Sequence, residues 1–268
     1  MAGDGAQRAE RAYCNNIIIT TPVNPDGNSP LQLQVSAKES LLLESGWYRP
    51  LASGFQSLRE VIFFERTKMK RILCYGDSNT RGQTGQRTRY AAARQWPNIL
   101  QRALGEDYWI VQEGMSGRIA GNYEADERAR NGQDSFEVAY CSAAPLDLVI
   151  VSLGTNDFKQ KYARSAQDIA SDLVRYKEAL RHYAAFGESE GKEALILYLS
   201  PSNFVITAGY FEAADQIRQQ LVELMRTFDT PILELNNLGL SEDGVHYSED
   251  DHKQVADMVK QKVEEILR

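Results

Sequence analysis

The chain has 268 residues, 43% hydrophobic and 25% charged, an ordinary make-up for a globular protein with one large domain or a domain with an appendage. Its formal charge is −7 with no block of Lys and Arg, which argues against nucleic acid as a partner. No apolar run approaches the ~20 residues that span a bilayer, and Cys14, Cys74 and Cys141 are odd in number and widely spaced, a pattern of reduced cytoplasmic thiols rather than a disulfide framework.

Near the start, Arg8 and Arg11 precede Ile17, Ile18 and Ile19, an apolar core too short for a secretory signal. Residues 1–68 carry seven basic and seven acidic side chains, so the whole −7 falls on residues 69–268. They include a turn-rich stretch at 22–27 and alternating residues 31–35 that read as a strand, with no repeat and no motif. This part is expected to be a weakly structured N-terminal extension, and 69–268 a self-sufficient domain.

From residue 71 onward, strand-like and helix-like segments alternate. Strands are expected at 71–75, 108–112, 146–153, 194–199 and 231–235. A first helix ends over 99–104. Residues 166–186 place Ile169, Leu173, Tyr176, Leu180 and Tyr183 at helical spacing, and 211–228 and 248–267 do likewise. Ser248 followed by Glu249, Asp250 and Asp251 reads as an N-cap with an acidic first turn. Five strands separated by helices imply a mainly parallel sheet covered on both faces.

Four loops in this pattern carry chemistry. The first strand ends in Gly76-Asp77-Ser78-Asn79, which puts a hydroxyl between a strand and a helix start, where a nucleophile is useful. The bland alternative is an ordinary capped turn. The second strand leads to Glu113-Gly114-Met115-Ser116-Gly117-Arg118, whose glycines leave a bare backbone N–H for a ligand or simply make a turn. After the most apolar strand comes Gly154-Thr155-Asn156-Asp157. A side-chain amide there can donate to a developing oxyanion, or cap a helix. Before the last helix stands Asp243-Gly244-Val245-His246, where a carboxylate can fix the imidazole tautomer with the other ring nitrogen facing outward. His182 and His252 fall within helical segments and read as structural.

All four loops follow strands and can lie at the carboxyl edge of one sheet, where doubly wound folds bind ligands. With strand order 2-1-3-4-5, the loops after strands 1 and 3 flank the switch point. The fifth strand lies roughly 14 Å from the first, so residues 236–246 must lean back across the edge.

The four blocks, in this order, resemble the SGNH (or GDSL) hydrolase superfamily over about residues 69–268. The Gly-Asp-Ser-Asn form and the loop at 113–118 are most similar to its bacterial arylesterase and acyltransferase branch. The resemblance implies a flavodoxin-like α/β/α sandwich with a five-stranded parallel sheet, and a serine esterase without metal or cofactor. Carried over by position, Ser78 is the nucleophile, His246 the base and Asp243 its orienter. The oxyanion donors are the backbone N–H groups of Ser78 and Gly117, with Gly114 as the alternative for the second, and the side chain of Asn156. Asp77, Phe158, Phe204, Tyr210 and Phe211 are expected near the substrate, though core packing explains the aromatics as well.

The reading is hydrolysis of short-chain or aryl esters. Sugar deacetylation or acyl transfer at the same site is the alternative, and self-association is allowed. A non-catalytic binding module would have no need of an oriented imidazole, and the chain lacks the Gly-rich Lys-Ser/Thr phosphate loop.

Overall fold

The computed structural model describes residues 11–14, 17–20, 34–37, 69–123, 127–204 and 214–268. The chain divides into two units, Met1–Glu60 and Val61–Arg268. In the first, β1 (Arg11–Cys14), β2 (Ile17–Thr20) and β3 (Gln34–Ala37) pair antiparallel in the order β1-β2-β3. The alternating segment expected at 31–35 overlaps β3 at Gln34 and Val35, and its first three residues lie outside the described ones.

The second unit is built on β4 (Lys70–Gly76), β5 (Tyr108–Gly114), β6 (Leu148–Ser152), β7 (Leu195–Leu199) and β8 (Ile232–Leu233). All pairings are parallel and the order is β5-β4-β6-β7-β8, which is 2-1-3-4-5 in chain order. Every residue of central β6 is buried, as a strand with helices on both sides requires.

The pleat sorts the strand residues between two cores. Leu73, Tyr75, Val149, Val151, Ile196 and Tyr198 face one way. They meet α3 (Gly132–Ala143), α4 (Ala166–Tyr183) and α5 (Ala214–Met225) through Phe136, Leu173, Tyr176 and Leu221. Ile72, Cys74, Leu148, Ile150 and Leu197 face the other way, against Trp96 and Leu100 of α2 (Trp96–Leu104) and Val255, Val259 and Val263 of α6 (Glu249–Ile266). This is the expected three-layer sandwich. Edge strand β5 is capped by a side chain. Gln101 accepts from Ile110 N at 2.8 Å and donates to Tyr108 O at 2.8 Å, which occupies backbone groups that could recruit another strand.

Two elements depart from expectation. Helix α3 is absent from the sequence reading because its apolar stripe (Phe136, Tyr140, Ala143) is narrow, and Val138 on its outer side is 70% exposed. Strand β8 has two residues where five were expected. Beyond Leu233 the backbone leaves the ladder: Leu235 N donates to Ser200 Oγ at 2.9 Å and Leu235 O accepts from Arg218 at 3.0 Å. The last helix does begin at its Ser248 cap, where Ser248 Oγ accepts from Asp251 N and Asp251 Oδ2 accepts from Ser248 N at 2.8 Å, a capping box.

Candidate active site

The four chemical loops gather at the carboxyl edge of the sheet. Strand β4 ends at Gly76, Asp77 caps the next helix, and Ser78 is the first residue of α1 (Ser78–Arg81). The Asp77 carboxylate accepts from Asn79 N at 2.9 Å, satisfying one orphan donor of the short helix. Burial pushes the Asp77 carboxyl up, against the opposing pull of the Asn79 N–H and of His246. Asp77 is 2% exposed, so its side chain serves the cap.

The loop before α6 brings the second group of residues. Asp243 Oδ1 accepts from Val245 N at 3.1 Å and from His246 N at 3.0 Å, and Oδ2 meets His246 Nδ1 at 2.5 Å. Burial acts to raise the Asp243 carboxyl, but these hydrogen bonds outweigh it and hold it below its ordinary value. The carboxylate therefore stays ionised and keeps the hydrogen on Nδ1. The other ring nitrogen, Nε2, lies 3.0 Å from Ser78 Oγ. The loop thus leans back across the sheet edge as its length requires.

A third group comes from the loops after β5 and β6. Gly114 ends β5 so close to α1 that an added Cβ would meet Arg81 N at 2.2 Å, a backbone clash that excludes a side chain there. Gly117 has φ +81°, in a turn closed by Arg118 N donating to Met115 O at 3.1 Å. Both glycines are thus required by the backbone. Asn156 follows β6 and is 6% exposed; one of its amide hydrogens goes to Arg118 O at 3.0 Å, which orients the other. Its neighbour Asp157 accepts from Ala120 N with both oxygens, and burial, helped by Asp172, pushes its carboxyl up to about 7.

Three contributors escaped the sequence reading. Arg118 is 1% exposed, donates to the carbonyls of Gly76 (3.1 Å) and Glu113 (2.8 Å), and lies 4.2 Å over the Tyr75 ring. It ties the ends of β4 and β5 together beneath Asn156. Asn79 holds the His246 loop through backbone contacts, and Gln83 touches the imidazole directly. Each sits in or beside a recognised block, but nothing local marks an Arg or an amide for burial.

Of the aromatics expected near the substrate, Phe158 is 3% exposed in the core and half-buried Phe204 packs on it edge-to-face at 5.5 Å. Tyr210 and Phe211 lie outside the described residues. His182 is on α4 against Phe186, and His252, fully buried on α6, accepts from Trp96 N at 3.3 Å. Neither joins the site.

Residues 74–261 match the GDSL-like lipase/acylhydrolase family. The chain belongs to that family. Membership places this GDSL-like hydrolase among the esterases and acylhydrolases, enzymes of the carboxylic ester hydrolase class. It is similar to the aryl esterase of M. smegmatis at 26% identity and TM-score 0.65, covering 74% of this chain and 99% of that one. A carbohydrate acetylesterase family member from Sinorhizobium meliloti is 27% identical with TM-score 0.69, over 74% of this chain and 99% of the other. An acetylxylan esterase from Xylanibacter ruminicola is 26% identical over 211 residues, which is 70% of this chain. The GDSL-like hydrolase spans only 42% of that relative's length.

Proposed function

We propose that the protein is a serine esterase that hydrolyses short-chain or aryl carboxylic esters through an acyl-enzyme. The observation that carries this reading is the bridge made by His246, with Nδ1 on Asp243 at 2.5 Å and Nε2 on Ser78 Oγ at 3.0 Å. In the proposed course, His246 Nε2 takes the Ser78 proton as Oγ attacks the ester carbonyl. The tetrahedral oxyanion receives hydrogen bonds from Ser78 N, Gly117 N and the free Asn156 Nδ2 hydrogen. His246 then gives its proton to the leaving alcohol. Water, deprotonated by His246, releases the acid and restores Ser78. Asp243 keeps the tautomer and favours the imidazolium.

Phe204, resting on Phe158, offers an apolar face to a small acyl or aryl group. The names of two similar proteins, one a solved structure and one a sequence relative, favour a second reading, O-deacetylation of a carbohydrate, which uses the same groups on an acetyl ester. Acyl transfer to an alcohol differs only in replacing the water. A cytoplasmic location is supported by Cys74 and Cys141, both free thiols. Among the described residues, no helix is long and apolar enough to cross a membrane.

A panel of p-nitrophenyl esters from acetate to palmitate, run beside acetylated sugars, tests the proposal. The expected result is highest kcat/KM on the shortest acyl chains. A preference for palmitate, or no turnover of any ester, would contradict it.

A further inference from the structure

Beside the bridge lies a second set of hydrogen bonds that the ester chemistry leaves unused. Gln83, on the loop after α1, places its Nε2 3.0 Å from His246 Nε2, the ring nitrogen that also meets Ser78 Oγ at 3.0 Å. The other end of the amide, Oε1, accepts from Ser116 Oγ at 2.5 Å. Ser116 precedes Gly117. One half-buried side chain therefore links the His246 loop to the glycine loop.

The hydrogens dictate which way the amide faces. His246 Nδ1 points at an ionised carboxylate and carries the hydrogen, so Nε2 is an acceptor in the resting protein. An acceptor calls for the NH2 end of Gln83, and the carbonyl end then takes the Ser116 hydroxyl hydrogen. That arrangement suits the neutral ring alone. Once Nε2 holds the Ser78 proton it is a donor on a cation, and an amide N–H pointing at it is repulsive. A half-turn of the amide removes the conflict, bringing Oε1 to the ring and NH2 to Ser116. Ser116 permits the turn because a hydroxyl donates in the first arrangement and accepts in the second.

We propose that Gln83, steered by Ser116, is a two-position amide that shows its nitrogen to neutral His246 and its oxygen to the protonated ring. The inference rests on the reading of Ser78, His246 and Asp243 as an ester-hydrolysing set. Gln83 acts as a positioning residue, touching the imidazole and not the reacting ester. No proton passes along it: the proton goes from Ser78 Oγ to His246 Nε2 and on to the leaving alcohol, and Ser116 keeps its own hydrogen. The charged ring gains more than the neutral one. Hydrogen bonds to an ionised group are roughly twice as strong, and the neutral ring's single lone pair is already shared with Ser78. The other titratable groups facing His246 are Asp243 on its own loop, Asp77 at the β4–α1 junction and His252 on α6. All are unchanged in the variants that follow.

The test uses the full chain as wild type, Gln83→Leu, Gln83→Glu, Ser116→Ala and Ser116→Thr. Labelling of Ser78 by a phosphonate is measured on each. With three histidines in the chain, the His246 ring Cε1–H can be titrated by NMR and assigned by its loss in His246→Asn. The midpoint should rise in the order Leu, wild type, Glu, the last by about one pH unit, with the acid limb of kcat/KM moving alongside. Gln83→Leu should lower kcat about tenfold with KM little changed. Ser116→Ala, which never touches the ring, should move the midpoint away from the wild-type value, and Ser116→Thr should restore it. Labelled Gln83→Leu and Ser116→Ala that both keep the wild-type midpoint would overturn the two-position amide alone. A wild type that does not label at Ser78 would overturn the esterase reading beneath it.

Discussion

Asn79 holds His246 by the peptides on either side of it. Its Nδ2 donates to Val245 O at 3.4 Å and its Oδ1 accepts from Tyr247 N at 3.0 Å, so one side chain next to Ser78 sets the position of an imidazole that lies 168 positions beyond Ser78. The strand end that presents the hydroxyl and the loop that presents the imidazole are thus pinned to each other directly. Asn79→Ala leaves the buried Tyr247 N–H without a partner, a loss of about 1–3 kcal/mol. The expected variant melts lower and loses kcat with KM little changed, because His246 drifts from Ser78. Calorimetry and steady-state kinetics check this, and a wild-type kcat in the variant would show that the loop holds itself.

Asn156 is expected to act through a donor. Asn156→Ala and Asn156→Asp should both lower kcat by about 10²–10³ with a smaller change in KM, as for a bond made mainly in the transition state. The Asp variant keeps the size of the side chain and removes the N–H groups. If KM alone rises in both, Asn156 holds substrate and the oxyanion needs another donor.

The buried histidine makes a prediction about acid stability. Burial, with a smaller push from His246, lowers His252 to about 4 from its ordinary 6.5, against the pull of Asp251. Between those values the unfolded chain binds a proton that the folded one refuses, so this group removes stability as pH falls from about 6.5 to about 4, by roughly 3 kcal/mol at most. Asp157, raised to about 7 chiefly by burial, has the opposite sign: the folded state keeps its proton, so its contribution grows as pH falls from about 7 towards 4. In His252→Gln only the first effect is gone. Its melting temperature should lie below wild type at pH 7, and the gap should close as the pH is lowered to about 4.5. A gap that stays constant would contradict the assignment.

We also predict that residues 69–268, expressed without the preceding residues, fold and keep the ester chemistry, since all four chemical blocks and all five strands of the parallel sheet lie within them. Soluble yield, melting temperature and kcat on a short aryl ester, compared with the full chain, decide it. An insoluble or inactive 69–268 protein would move the boundary upstream.

The sheet and the four loops were legible in the sequence for a physical reason. Strands buried on both faces appear as short apolar runs, and the chemical loops follow them directly, so strand order alone brings Ser78 beside Asn156. What stayed hidden depends on partners far along the chain. Nothing in the neighbourhood of Gln83 announces His246, 163 positions away, and an Arg in a loop reads as solvated until Arg118 is seen stacked on Tyr75. The narrow stripe of α3 and the early end of β8, where Ser200 and Arg218 take over the backbone groups, are set by tertiary contacts in the same way.

The central claim is that Ser78 is the nucleophile, and mass spectrometry of the protein treated with a serine-directed phosphonate tests it most directly. The account predicts one adduct, on the peptide that carries Ser78, absent from Ser78→Ala, which should fold as the wild type does and turn over no ester. An adduct on Ser116 instead, or undiminished turnover by Ser78→Ala, would contradict it.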